Sequence, residues 1–228
     1  MQAGSDRAAC ARGPLAHDGA IGPEECSAET HEIADFYNRL VTRLGPDPRA
    51  LDWGSRASQH KRFEVLAQVG DLAGASVLDV GCGVGHLYDF LTSRDLRIDY
   101  TGYDIAPAVV EAARRRLPHV EIQMLDIVAT DVDRAQFDFV VASGLFSLRR
   151  MRPYAYVEAV AHRMYALCRR GVALNCLSSR SDRSVTIAHG RFLADPVRVL
   201  RICLDLTPNV VLRHDYMPHD FTVYLYKE

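Results

Sequence analysis

The sequence predicts an α/β fold in which a mostly parallel, seven-stranded sheet carries helices on both faces, behind an N-terminal helical cap. Three observations predict it. After Ala75 short apolar runs alternate with amphipathic stretches, the pattern of a parallel sheet covered on both sides. The first run leads through Gly81-Cys82-Gly83-Val84-Gly85 straight into a helical stretch. The last two runs, NVVLRHDY and DFTVYLY, alternate in polarity and are joined only by MPH, a connection short enough for an antiparallel pair.

At 228 residues the chain suits one well-buried core with an appendage. Residues 1–27 lack hydrophobic periodicity and are expected to form a leader with little fixed structure. Residues 28–70 are expected to form the cap, and residues 71–228 the α/β domain. In the cap, THEIADFYNRLVTRLG sets Ile33, Phe36, Tyr37, Leu40, Val41 and Leu44 on one stripe and stops at Gly45. A second helix runs through SQHKRFEVLAQVG, with Phe63, Leu66 and Val69 along one face and Gly70 as its stop.

The expected parallel strands are SVLDV, RIDYTGYD, VEIQML, FDFVVAS and GVALNCL. Between them lie helices from His86 to Arg94, Pro107 to Leu117 and Pro153 to Arg170, with a short turn near Asp131. Proline fits a helix start because its missing N–H is not needed there. A further helix, Pro196 to Leu206, precedes the terminal hairpin.

A net charge of −2 gives no field that gathers phosphates, so no nucleic-acid partner is expected. Arg114, Arg115 and Arg116 are expected to be a solvated helix end near the C-terminal dipole. No run of about 18 apolar residues spans a bilayer, and no secretory signal opens the chain. A soluble, cytoplasmic monomer or homodimer acting on a small molecule, away from membranes, is the expectation. The six cysteines form no C-x-x-C pair, so neither a metal nor a disulfide framework is expected. Cys82 is expected to be a compact filler rather than a nucleophile.

The glycine turn lets the backbone bend sharply and approach a ligand closely. A dinucleotide turn would be spaced G-x-G-x-x-G; here the spacing is G-x-G-x-G with Asp79 two residues ahead. No Gly-Lys-Ser/Thr follows, which removes a Walker loop. Asp104 closes the second strand, where a carboxylate can accept both hydroxyls of a ribose. Asp126 follows the third, placed to accept from an adenine amino group while Ile127 covers a ring face.

Together VLDVGCGVGHL, GYDIAP, MLDI and FDFVVASG resemble the successive motifs of class I S-adenosylmethionine-dependent methyltransferases, over roughly Ser76 to Glu228. That resemblance implies a Rossmann-like sheet of order 3-2-1-4-5-7-6 with strand 7 antiparallel, and S-adenosyl-L-methionine as cofactor. It implies that Gly81, Gly83 and Gly85, with Cys82 between them, lie against the methionine part. Asp79 would support the turn and face the ammonium. Asp104 would bind the ribose beside Ile105, Asp126 the adenine beside Ile127, and Ser143 would line the site.

Methyl transfer is an in-line displacement at an activated carbon, so alignment and exclusion of water supply much of the catalysis. Tyr37, Ser143 and Asn175 are the catalytic candidates, with His86, Ser147, His189, His214 and Tyr216 as further polar groups. His214 and His219 are also explained as hairpin-turn organisers. Arg62, one helical turn from Ser58 and following the lone Trp53, is expected to hold the cofactor carboxylate. The segment ASGLFSLRR carries no Asn-Pro-Pro-Tyr sequence, which argues against nucleic-acid bases as acceptors. The product would be S-adenosylhomocysteine. Cyclisation of the cofactor to azetidine-2-carboxylate, releasing methylthioadenosine, is the alternative. A non-catalytic cofactor-binding protein is disfavoured by Ser143, Asn175 and Tyr216.

Overall fold

Burial places β1 (Ser76–Val80) in the middle of the sheet, because every residue after Ser76 is buried and an interior strand needs apolar side chains on both faces. In the computed structural model, which describes residues 23–45, 47, 55–130, 135–180 and 190–228, this strand pairs in parallel with β2 (Asp99–Asp104) on one side and β4 (Phe137–Ala142) on the other. β3 (Glu121–Met124) lies outside β2, and β5 (Cys168–Leu177) outside β4. The hairpin of β6 (Val210–Met217) and β7 (Asp220–Tyr226) completes a seven-stranded sheet of order β3-β2-β1-β4-β5-β7-β6. β7 runs antiparallel to both neighbours. This is the Rossmann-like order expected. The order reverses between β1 and β4, and such a switch point opens a crevice at the carboxyl ends of the strands.

The helices cover the two faces as separate apolar layers. On one face α5 (Pro153–Leu167) and α6 (Pro196–Leu204) bury Tyr156, Val160, Met164, Val199 and Cys203 against Leu78, Val140 and Leu174. On the other, α2 (Arg56–Leu66), its 3₁₀ extension Ala67–Val69 and α3 (His86–Thr92) bury Phe63, Leu66, Val69, Phe90 and Leu91 with Phe139. Phe63, Leu66 and Val69 are the face expected from their spacing. Burying each such side chain contributes about 1.5–3 kcal/mol.

α1 (Pro23–Leu44) packs on α4 (Pro107–Arg116) through Ala34 and Val41 against Val84, Ala106 and Val109. It starts at Pro23, inside the segment expected to lack structure. Proline suits the first helical position. Its apolar stripe is only half buried at Ile33, Phe36, Tyr37, Leu40 and Leu44, because Ile33 and Tyr37 face a cavity rather than the core.

Other boundaries shift too. α5 ends at Leu167 rather than Arg170, because Cys168 already pairs with Phe137 and draws Cys168–Arg170 into β5. α3 ends at Thr92 and α6 at Leu204, each two residues early. β2 begins at Asp99 rather than Arg97. The three arginines closing α4 are not a uniformly solvated end. Arg114 and Arg115 are exposed as expected, although Arg114 donates to Ile122 O (2.8 Å) and Arg115 pairs with Glu111; Arg116 is half-buried, donates to Val84 O (2.9 Å) and pairs with Asp89. Trp53, His189 and the turn near Asp131 lie outside the described residues. No helix among the described residues is long and apolar enough to cross a membrane.

Candidate functional site

The glycine turn is stitched to the end of β2. Gly81 N–H and Cys82 N–H both donate to Tyr103 O (2.8 and 3.0 Å), and Gly85 N–H donates back to Cys82 O (3.0 Å). Two of its glycines are required by packing as well as by positive φ. A Cβ on Gly81 would meet Leu145 Cδ1 at 2.9 Å, and one on Gly85 would meet Leu117 Cδ1 at 2.4 Å. Cys82 is buried, and its Sγ lies 2.7 Å from where a Gly102 Cβ would stand. Burial holds its thiol well above the ordinary range, so it is a protonated filler, although it also lines the cavity.

Three carboxylates stand at successive strand ends. Asp104 accepts from Gly83 N–H (2.9 Å) and Ala106 N–H (3.0 Å), tying the turn to the start of α4. Burial pushes its carboxyl up while those amides pull it down. Asp126 accepts from Val128 N–H (2.9 Å) and from Thr30 Oγ1–H (3.3 Å), so α1 rests over the end of β3. Asp79 accepts from Tyr100 O–H (2.6 Å) on one oxygen, while its buried Oδ1 has no partner. Burial raises its carboxyl to about 7, against the opposing Tyr100 hydrogen bond.

All three line one cavity of about 380 Å³. It continues past the glycine turn to Ser143, Leu145, Ser147 and Leu148 after β4, to Asn175 and Leu177 of β5, and under Ile33 and Tyr37 of α1. Ile105 and Ile127 form part of its wall. An unsatisfied buried carboxylate oxygen suits a cationic or N–H donor, and Asp104 retains lone pairs after its two amides. The cavity therefore holds donor and acceptor groups that fit a ribose and an ammonium, between apolar walls.

Several expected residues act differently. Arg62 is buried, and its guanidinium is committed to protein: Nε donates to Asp220 Oδ1 (2.8 Å), Nη2 to Asp220 Oδ2 (2.6 Å) and Nη1 to Ser58 Oγ (2.6 Å). Its planar fork is taken by that bidentate pair, so the expected clamp on a cofactor carboxylate is not what the geometry provides. Asn175 is buried, with Oδ1 accepting from Gly144 N–H (2.8 Å) and Nδ2 3.4 Å from Ser143 Oγ. It fixes the turn after β4 and lines the cavity beside Ser143. Tyr216 pairs with Thr222 Oγ1 (2.9 Å) and packs on the α2–α3 layer, outside the cavity wall. His214 packs edge-on to Phe221, also away from it. His86 lines the cavity with Nδ1 3.3 Å from Gln59 Nε2, and His219 lines it with Nε2 3.4 Å from Asp220.

Asp220, Gln59 and Arg150 reach the cavity without having been expected there. Asp220 opens an otherwise apolar alternating strand, a polar exception visible in DFTVYLY, but its partner lies 158 positions away. Gln59 and Arg150 carry no such signal. Among the described residues no group of three His, Cys, Asp or Glu side chains is placed to hold a metal.

A sheet of this order with three acids around a glycine turn is the architecture of the Rossmann-like class of enzymes. Residues 78–174 match a family described as "Methyltransferase domain". A Mycobacterium tuberculosis protein named as a methyltransferase is 36% identical over 157 residues, covering 67% of this chain and 93% of that protein. The malonyl-[acyl-carrier protein] O-methyltransferase of Acetivibrio thermocellus is 38% identical over 95 residues, 39% of this chain and 32% of that protein. The chain thus spans about a third of that relative's length. The magnesium protoporphyrin IX methyltransferase of Synechocystis PCC 6803, solved with bound SAM, superposes with a TM-score of 0.61 at 15% identity, covering 92% of this chain and 100% of that one. The chain belongs to the methyltransferase family, and its fold is that of the Rossmann-like methyltransferases.

Proposed function

We propose that this methyltransferase transfers the methyl group to a small-molecule acceptor held in the same cavity as the cofactor. The observation that carries the reading is the continuity of that cavity, from the strand-end carboxylates past the glycine turn to the polar and apolar groups after β4 and β5. A roofed space of about 380 Å³ suits a small ligand rather than a folded macromolecule.

Asp104 receives the ribose hydroxyls on the lone pairs that Gly83 and Ala106 leave open. Asp126 accepts the adenine amino group, with Ile105 and Ile127 as apolar walls, and Asp79 Oδ1 faces the ammonium. Gly81 and Gly83 let the backbone lie against the methionine part. The bound cofactor supplies a methyl carbon activated by positive sulfur. Asn175 holds Ser143 and Gly144 at the acceptor side, while Tyr37 and Ile33 roof the space and exclude water, which favours in-line methyl transfer between aligned groups.

The test is mass spectrometry of the protein with S-adenosylmethionine, alone and with a panel of small acceptors. S-adenosylhomocysteine and a methylated acceptor are expected only when an acceptor is present. Methylthioadenosine formed together with azetidine-2-carboxylate from S-adenosylmethionine alone would replace methyl transfer by cyclisation.

A further inference from the structure

Carboxylates and guanidiniums line the cavity at different ends. At the cofactor end, Asp79, Asp104 and Asp126 each have the backbone or side-chain partners described above. Asp220 is neutralised by Arg62. At the far end, in the segment after β4, Arg150 lines the cavity with a side chain only 6% exposed. Arg191, joined to Leu148 by a backbone bridge, lines the same end.

Arg150 is held in place without being fully compensated. Its guanidinium carbon lies 3.6 Å from the ring centroid of Tyr156, a stack that fixes the plane of the fork. Its anionic neighbour is Glu29 of α1, with Nη1 to Oε2 at 3.6 Å. Charge-assisted hydrogen bonds of this kind are about 2.7–2.9 Å long. The other oxygen of Glu29 accepts Met151 N–H at 2.7 Å, so Glu29 serves mainly to dock α1 on the segment after β4. A buried cation is costly unless it is closely paired, and the closest pairing for a planar fork is a bidentate carboxylate.

Building on the methyl-acceptor reading above, we propose that the acceptor carries a carboxylate and that Arg150, stacked on Tyr156, receives it at the far end of the cavity. Arg150 is then the residue that selects acceptor charge, and Glu29 is the internal anion the acceptor displaces. A single stacked guanidinium matches one carboxylate in a bidentate pair, and the comparison with methyl phosphate below separates the two anions.

The experiment is calorimetric titration of the protein loaded with S-adenosylhomocysteine, using malonate, succinate and benzoate, with malonamide and methyl phosphate for comparison. At least one carboxylate is expected to bind, malonamide not to, and Arg150→Gln to weaken the carboxylate at least tenfold with S-adenosylhomocysteine affinity unchanged. Glu29→Gln keeps an acceptor for Met151 N–H but removes the competing charge, so it is expected to tighten carboxylate binding severalfold. A purely structural Arg150–Glu29 pair would loosen it instead. Loaded protein that binds none of the carboxylates, binds them equally in Arg150→Gln, or prefers methyl phosphate would overturn the proposal. Failure to bind S-adenosylhomocysteine at all would count against the cofactor site instead.

Discussion

Arg62 and Asp220 form a bidentate ion pair, Nε to Oδ1 at 2.8 Å and Nη2 to Oδ2 at 2.6 Å, that clamps α2 to the tip of the terminal hairpin. Both side chains are nearly inaccessible, at 8% and 2% exposure. Removing one partner leaves the other as an uncompensated buried charge, which costs about 3–5 kcal/mol. Arg62→Ala is expected to lose stability on that scale in urea unfolding at neutral pH, and Arg62→Ala with Asp220→Ala to regain part of it. A single-variant loss below about 1 kcal/mol would show the pair to be solvated, as surface pairs are.

Asp79 gives the ligand-free protein a pH dependence whose sign is fixed by burial. Its folded carboxyl titrates near 7 rather than 3.8, so its contribution to stability is fully present below about pH 4 and is lost as pH rises through 7. Asp79→Asn keeps an acceptor for Tyr100 O–H and removes the ionisation. Between pH 5 and 8 the unfolding free energy is expected to fall in the parent by roughly a few kcal/mol more than in the variant. Parallel curves would contradict it.

The same group predicts proton release on binding. An ammonium beside Asp79 Oδ1 favours the carboxylate, so S-adenosylmethionine binding at pH 6 is expected to expel up to about one proton, and at pH 8.5, above the free amine's own pKa of about 8, to take protons up instead. Calorimetry in two buffers of different ionisation enthalpy reads the difference directly. Equal proton counts at both pH values would move the ammonium away from Asp79.

Gly85 separates crowding from backbone conformation. It caps α3 at φ +83°, and an added Cβ would meet Leu117 Cδ1 at 2.4 Å, whereas Gly45 at φ +66° has nothing within 4 Å. A left-handed non-glycine residue costs about 1–2 kcal/mol. Gly45→Ala is expected to lose about that, and Gly85→Ala at least about 1 kcal/mol more, in the same denaturant assay. Equal losses would mean that Leu117 simply moves aside.

Periodicity and chain punctuation are local, and they made the strands, most helices and the terminal hairpin legible. The glycine turn and Asp104 were legible because their spacing along the chain is their spacing around a βαβ unit. What escaped was tertiary. Arg62 has the chemistry of a carboxylate clamp, and only the folded chain brings a protein carboxylate to it. Asn175 reads in the sequence as a lone polar group in an apolar strand, and only the fold brings Gly144 N–H to its oxygen. Cys168–Arg170 continue a helical pattern, yet the pairing of Cys168 with Phe137 outweighs it. Arg116 looks solvated because the carbonyl it reaches, on Val84, belongs to another element.

The placement of the cofactor between the glycine turn and the end of β2 rests most heavily on Asp104. Asp104→Asn keeps one acceptor for the turn but loses the charge and one lone-pair set facing the ribose. Calorimetric titration with S-adenosylhomocysteine, alongside a melting curve, is the direct test. Binding is expected to weaken by about 1–3 kcal/mol, on the scale of losing hydrogen bonds to a charged group in a buried site, with the fold intact. An unchanged dissociation constant in a folded variant would contradict the placement.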